Sequence, residues 1–492
     1  MEDRIRSRNL NFLSHDFEAL HDRREQFAVE LRKEKRSKKI CKKRDKSNII
    51  ANRDHLDCLL LFPSDILQYL PTEFEYLPMI NQLKLISEAL EKQIPDQIKE
   101  IMIEKVDNFV RENKLDVKSL YDVGFAQSLM SLLHSKASKN IIIISMHILG
   151  CILDSNDEYK LEIFSNGLFD KIITFVCPGD AKVLDYAIWV LANISDEKTI
   201  AVFLLKYDIL KCLLKLYNDI SSWINSDIVE SFGMLLSNIT MHYKEISKED
   251  AKFICQIVVM VMENKEFDKS EFIRTLNHLC RNNSLIEIAI ASKAIEYALE
   301  EIEIPENTEI VFELLGIISS GNSIQAEYIF QHNILDTCYN YINCDSKSIL
   351  KNIMIIINNI ISESTDYIPL IILHDIFPCI QAKLLYNAEK VRLEASFVLL
   401  AIMTKTKNTQ TLYVINSKLH IYLQQALKFD EPEFLQNCLI ISFEIFKFLY
   451  LYPDFIELDI RQFLLVIGDL VTHKNKDVSN LAEEILSLYT NF

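Results

Sequence analysis

The sequence predicts an all-helical repeat solenoid, on three observations. The first is a shortage of turn formers: 8 glycines and 10 prolines in 492 residues. Those two residue types punctuate turns and interrupt helices, so a chain this poor in both is nearly all helix. The second is a phrase that returns at a fixed interval, and the third is another marker running in phase with it. With 49% of residues apolar, the chain is long enough for several domains or for one elongated array.

The recurring phrase is a helix ending in an apolar pair, a break at a small polar residue or glycine, then an apolar residue opening a new amphipathic helix. It occurs as LYDVGFAQSLMSLL (break at Gly124), IFSNGLFDKIITFV (Gly167) and FLLKYDILKCLLKLY (Asp208). It returns as IFQHNILDTCYNYI (Asn333), LIILHDIFPCIQAKL (Asp375) and YVINSKLHIYLQQAL (Ser417). The intervals are 43, 41, 125, 42 and 42 residues, the long one close to three periods. A period near 42 with about three helices per unit is the length of armadillo and HEAT repeats. Such units stack because none buries its own apolar face, and stacking generates a superhelix with a concave surface. The expectation is a right-handed armadillo superhelix of roughly ten units from about residue 73 to the C-terminus. A HEAT solenoid is the rival.

The in-phase marker has the form x-W-x-x-x-N near the end of each long helix. Its fullest copy is DYAIWVLANISDE, with Trp189 and Asn193; SFGMLLSNIT follows with Met234 and Asn238. Upstream the phase falls on His147 and Cys151. Downstream it falls on Arg274/His278, Glu313/Ile317, Ile355/Asn359 and Phe397/Ala401. Residues four apart share one helical face. A tryptophan there offers a π face to a cation, and an asparagine offers both a donor and an acceptor to an extended peptide backbone. Asp185, Asp196, Glu197, Glu230 and Glu271 stand beside these positions and would select Lys and Arg. The competing reading is plain: tryptophan as a core residue and asparagine as a helix cap or bend.

Charge is unevenly divided. Residues 1–46 carry 15 Lys and Arg against 9 Asp and Glu, a net of +6, while the remaining 446 carry 38 against 61, a net of −23. A basic tail on an acidic body suggests two partners or a tail that folds back, and it argues against nucleic acid as the body's ligand. The 11 cysteines include no CxxC pair. Cys212, Cys255 and Cys438 sit in apolar runs and are expected as reduced core thiols. The start is charged from Glu2, unlike a secretory signal, and the longest apolar run, 141–153, is short for a membrane span. The expectation is a soluble protein. No phosphate loop, HExxH, G-x-S-x-G or metal-ligand cluster points to an enzyme or a cofactor.

In the tail, Phe17, Leu20, Phe27 and Leu31 form a narrow apolar stripe on a charged helix, which would order on an acidic partner. A nucleic-acid or nuclear-targeting patch is the alternative. The stretch RREQFAVELRKEKRSKKICKKRD, residues 23–45, resembles the importin-beta-binding segment of the importin-alpha family. Val29-Glu30-Leu31-Arg32-Lys33-Glu34-Lys35-Arg36 matches that family's V-E-L-R-K-x-K-R core position for position. DYAIWVLANISDE and the C-terminal THKNKDVSNLAEEILSLYTNF (472–492) resemble two of the family's repeats.

The resemblance implies a nuclear-import adaptor that shuttles between cytoplasm and nucleus. Arg23, Arg24, Val29, Leu31, Arg32, Lys33, Lys35, Arg36, Lys38 and Lys39 would bind importin-beta. Lys42, Lys43 and Arg44 would occupy the cargo groove when importin-beta is absent, with 47–72 as linker. Lysine-rich localisation signals of cargo would bind a major site of Asp185, Trp189, Asn193, Asp196, Glu197, Glu230, Met234, Asn238 and Glu271. A minor site would keep Asn359, Glu394 and Phe397. The last repeats, about 430–492, would dock the export receptor with Ran-GTP. The chain departs from the family in having two tryptophans, of which Trp223 is out of phase. A non-transport armadillo scaffold or assembly chaperone is the alternative function, and a HEAT-type carrier binding Ran directly would lack the tail.

Overall fold

The computed structural model describes residues 60–134, 136–221, 224–452 and 460–490. Among them the chain is a succession of α-helices and short 3-10 helices, with no strand. All the tail positions assigned above to importin-beta binding or autoinhibition, and Trp223, lie outside the described residues. The chain divides into two compact units, Met1–Ile200 and Ala201–Phe492.

The first unit is organised on three long helices, α1 (Asp96–Arg111), α2 (Lys139–Ser155) and α3 (Ala181–Ile194). Each is followed by two shorter helices before the next begins, and α2 packs directly on both α1 and α3. Side-chain oxygens start α2 and α3. Ser138 accepts the Ile141 N–H, and Asp180 accepts those of Lys182 and Val183, satisfying donors that the first helical turn leaves unpaired. The two shorter helices are separated by Gly124 (φ 76°) or Gly167 (φ 91°), a left-handed conformation that glycine adopts without a Cβ clash. In α3 every residue from Leu184 to Ile194 is buried, so the helix is surrounded on all its faces.

Residues 60–72 belong to this unit, whereas residues 47–59 of the linker expected over 47–72 lie outside the described residues. Leu60, Phe62, Ile66 and Leu70 are buried. The Gln82 side chain accepts from the Leu60 N–H at 2.9 Å and donates to the Phe74 carbonyl at 2.9 Å. Four anchored apolar side chains, each stabilising by about 1.5–3 kcal/mol, hold this stretch on the unit.

The second unit continues the pattern with α4 (Ser226–Thr240), α5 (Ser270–Cys280), α6 (Pro305–Ser319), α7 (Lys347–Glu363), α8 (Glu389–Lys405), α9 (Pro432–Leu451) and α10 (Lys476–Thr490). Each packs on the next in order. That is the arrangement of an α-solenoid, in which a helix meets its counterparts one repeat away and little else. The left-handed turn recurs at Asp208 (φ 59°), Lys293 (φ 67°), Asn333 (φ 53°) and Lys418 (φ 67°). Two of the breaks read from sequence differ in detail, and the Asp375 break stays between the helices Ile368–Leu373 and Ile376–Ala382. Asp375 is right-handed at φ −61°, and the break expected at Ser417 falls one residue later, on Lys418. Lys293 fills part of the long interval between Asp208 and Asn333.

Two further corrections concern composition. Cys212 is exposed, because the amphipathic helix Ile209–Ile220 turns Ile209, Leu213, Leu216 and Ile220 inward and leaves Cys212 outside. Cys255 and Cys438 are buried as expected. By length and composition α9, with 20 residues, could cross a membrane, although the sequence run at 141–153 drew attention instead. Half of its most apolar window is buried within the protein.

Candidate functional site

The site residues predicted in the first unit gather where α2 meets α3. Trp189 is 2% exposed, its ring stacked on the imidazole of His147 with centroids 5.9 Å apart and planes inclined by 18°. Tyr186 meets Trp189 edge-on at 6.1 Å. The ring lies over Gly150, so closely that a Cβ added there would stand 2.1 Å from Trp189 Cζ3. Glycine is required at that point because the indole occupies the space a side chain would take. Trp189 therefore packs α3 on α2, the core role that the sequence also allowed.

Asn193, one turn further on, donates its Nδ2–H to the Gly150 carbonyl at 3.0 Å. Its Oδ1 is buried and without a hydrogen-bond partner. A buried, unmatched acceptor costs on the order of 1–3 kcal/mol, and the atom is suited to receive an N–H. Half of the bifunctional amide expected from the sequence is thus committed to the fold, and the other half is buried without a partner.

The acids beside the pair divide. Asp185 is buried, at 7% exposure. Asp196 is not a cation-selecting acid: both its oxygens receive the Lys160 ammonium, at 2.7 and 2.8 Å. Lys160 is itself buried and also bonds Asp157 at 2.6 Å, so the charge of Asp196 is neutralised internally. Glu197 is corrected as well. It caps the helix Lys198–Lys206, accepting the Ile200 N–H at 3.0 Å. The pairing of Asp196 depends on Lys160, 36 residues earlier, of which local spacing gave no sign, whereas the Glu197 cap acts within three residues.

The preceding rung, His147 and Cys151, carries a network of its own. The imidazole Nδ1 bonds Asp107 Oδ1 at 2.5 Å, and the other carboxylate oxygen holds Arg111 Nε at 2.7 Å. Burial alone would push the Asp107 carboxyl up, but hydrogen bonding and charge from His147, with Arg111 beside them, hold it below the usual carboxylate range. Asp107, Arg111, Lys160 and Gly150 escaped the sequence reading. Gly150 alone left a signal, as a lone glycine inside an apolar helix marks a close approach.

In the second unit Met234 on α4 is 8% exposed, with Glu230 and Asn238 partly exposed on the same helix. Glu271 on α5 lies 3.7 Å from Arg274 Nε, so its charge is offset by the residue at the next rung. His278 is buried, and its Nδ1–H donates to the Ser237 carbonyl at 3.0 Å. Burial lowers its pKa to about 4, so the ring is neutral at pH 7. On α7, Asn359 donates to Ser319 Oγ at 3.2 Å. Asn193, His278 and Asn359 thus make one kind of bond, from a rung to the row helix one repeat earlier. Phe397 is partly exposed. Glu394 is largely buried and its pKa is raised to about 7, with burial first, Lys351 opposing and Glu433 adding. It carries only part of a negative charge at neutral pH, a weaker attraction for cations than the sequence suggested.

No group of three or more potential metal ligands occurs among the described residues. No protein-family model matches the sequence, and no curated protein matches it. The fold is similar to the crystal structure of an engineered protein, a Northeast Structural Genomics Consortium target. The TM-score is 0.69 at 16% identity, covering 83% of this chain and 98% of that one. At that identity the likeness concerns the fold alone.

Proposed function

We propose that this chain is a nuclear-import adaptor: an armadillo superhelix that takes up lysine- and arginine-rich localisation signals of cargo proteins and joins them to importin-beta through its basic tail. The observation that carries the reading is the segment Val29–Arg36, which resembles the importin-beta-binding core at every position and precedes a body of net charge −23. Opposite charges on tail and body favour both a basic ligand for the body and return of Lys42-Lys43-Arg44 when the tail is unoccupied. A short flexible linker gives a tethered segment an effective concentration of about millimolar, enough for a weak motif to compete with cargo. Release of the body when importin-beta takes the tail then follows as reciprocal coupling. Docking of an export receptor with Ran-GTP at 430–492, shuttling between compartments, and the absence of membrane or direct nucleic-acid partners belong to the same reading.

The unmatched, buried acceptor of Asn193 is the first unit's candidate for peptide capture, with Asp185 beside it. Glu230, Met234 and Asn238 are the second unit's candidates, and Asn359, Glu394 and Phe397 form a reduced minor site. The burial of Trp189 and the internal pairing of Asp196 favour the second reading, a non-transport scaffold that engages a folded partner.

The test is fluorescence anisotropy of a single-cluster lysine-rich peptide with the full chain, with the triple Lys42→Ala, Lys43→Ala, Arg44→Ala variant, and with that variant carrying Asn193→Ala. Tighter binding by the triple variant, lost on Asn193→Ala, supports groove, ligand and tail together. Absence of binding to every form at about micromolar protein removes the transport reading and leaves the scaffold.

A further inference from the structure

The rung at His147 and Cys151 departs from the Trp–Asn pattern, and its geometry explains what stands there instead. Cys151 Sγ lies 3.8 Å from His147 Nε2. On the far side of the ring, Nδ1 meets Asp107 Oδ1 at 2.5 Å. A carboxylate accepts only, so Nδ1 carries the hydrogen and Nε2 faces the thiol. Thiol, imidazole and carboxylate are therefore in series: nucleophile against base, base against an orienting acid. The ring has little freedom to turn, being 2% exposed and stacked on Trp189. The charged and titratable groups that face it are Asp107 and Arg111 from α1, Tyr186 from α3, and Cys151 from its own helix.

Among the described cysteines Cys151, Cys344 and Cys379 are partly exposed; the Cys344 and Cys379 thiols bond the Ser346 and Asp375 carbonyls, whereas Cys151 meets a histidine. Cys255, Cys280, Cys338 and Cys438 are buried, and burial pushes each of those thiols up, Cys255 to about 11. Such thiols are inert. Cys177 and Cys212 are exposed, and neither Cys177, bonded to the Thr174 carbonyl, nor Cys212 has a histidine contact. Cys151 is partly exposed and combines access with a base.

We propose that Cys151 is a thiol primed for exchange with small disulfides, His147 serving as its base and Asp107 as a positioning residue. The Cys151 proton passes to His147 Nε2, and the thiolate attacks one sulfur of the disulfide. A new S–S bond forms to Cys151 as the old one breaks, and the departing thiolate takes the proton back from Nε2. Cys151 and the disulfide become a mixed disulfide and one released thiol; oxidant and reductant are those two partners alone. The Asp107 hydrogen bond stabilises the imidazolium that exists between the two proton transfers.

The experiment treats the full chain with a neutral disulfide, 2-hydroxyethyl disulfide, and follows each cysteine by peptide mass mapping from about pH 6 to pH 9. At about pH 6.5, where an ordinary thiol is about 1% ionised, Cys151 is expected to react at least ~10-fold faster than Cys212. The rate of an unassisted thiol rises about tenfold per pH unit below its pKa, whereas that of Cys151 changes much less, so the advantage closes near pH 9. His147→Gln removes the advantage, and Asp107→Asn reduces it. Should Cys151 prove no faster than Cys212 at about pH 6.5, or share its slope, the proposal falls on the unmutated chain alone, whatever the variants do. An advantage that survives His147→Gln in a folded chain overturns the role of His147. Neither readout involves a peptide ligand, so the result is independent of the transport reading.

Discussion

Substituting Gly150 by alanine isolates the contact on which the first unit's site is built. In an exposed helix interior the change would stabilise by about 1 kcal/mol through helix propensity. Here the new Cβ would stand 2.1 Å from Trp189 Cζ3 and 2.7 Å from both Cε3 and Cη2. Restoring van der Waals separation, about 3.5 Å, requires the indole to retreat by about 1.4 Å. Packing on every side resists that movement, and overpacking of this kind costs about 1–3 kcal/mol. The expected net is destabilisation of up to about 2 kcal/mol. In a Trp189→Ala background the obstacle is gone, and the same Gly150→Ala change should stabilise by about 1 kcal/mol. Urea titration followed by circular dichroism on the four chains of this double-mutant cycle measures the sign reversal. If Gly150→Ala raises stability in the unmutated background, the packing of Trp189 over Gly150 described above is wrong.

Three other expectations follow from buried charge and backbone geometry. Asp196→Asn leaves Lys160 buried with Asp157 as its remaining acid, and should cost about 3 kcal/mol in urea titration, with Lys160→Met in the same chain recovering much of the loss. His278 has its folded pKa lowered from 6.5 to about 4, so its share of stability is present above pH 6.5 and is lost as pH falls from there to about 4. That loss amounts to about 3 kcal/mol, and His278→Gln should flatten the wild-type decline in denaturation midpoint over that window. Lys418→Gly relieves a left-handed lysine at φ 67°; set against glycine's greater chain entropy, the gain in thermal unfolding should be about 0.5 kcal/mol.

Sequence disclosed the helices and their period because both rest on local chemistry. Scarce Gly and Pro, apolar spacing and polar N-caps act within a few residues. Gly124, Gly167 and Asn333 announced their turns since glycine and asparagine are the residues that tolerate positive φ. Lys293 and Lys418 did not, because lysine has no such preference and is held there by the helices on either side. The site was less legible for the same reason in reverse. Asp196 looked like a surface acid until the fold brought Lys160, 36 residues earlier, against it. Likewise His147 read as an eroded tryptophan, since Asp107 lies 40 residues away and only stacking of α1 on α2 brings the two together.

The row from α4 to α10, in which each helix packs on the next in order, has a consequence for how the second unit fails and how it changes over generations. Cohesion passes from one interface to the next, so a weakened contact divides the row at that point while each side keeps its own stacking. Opening should advance along the row in steps of a whole repeat. Gain or loss of one period, about 42 residues, would preserve every remaining interface, whereas a deletion of half that length would set unlike faces against each other.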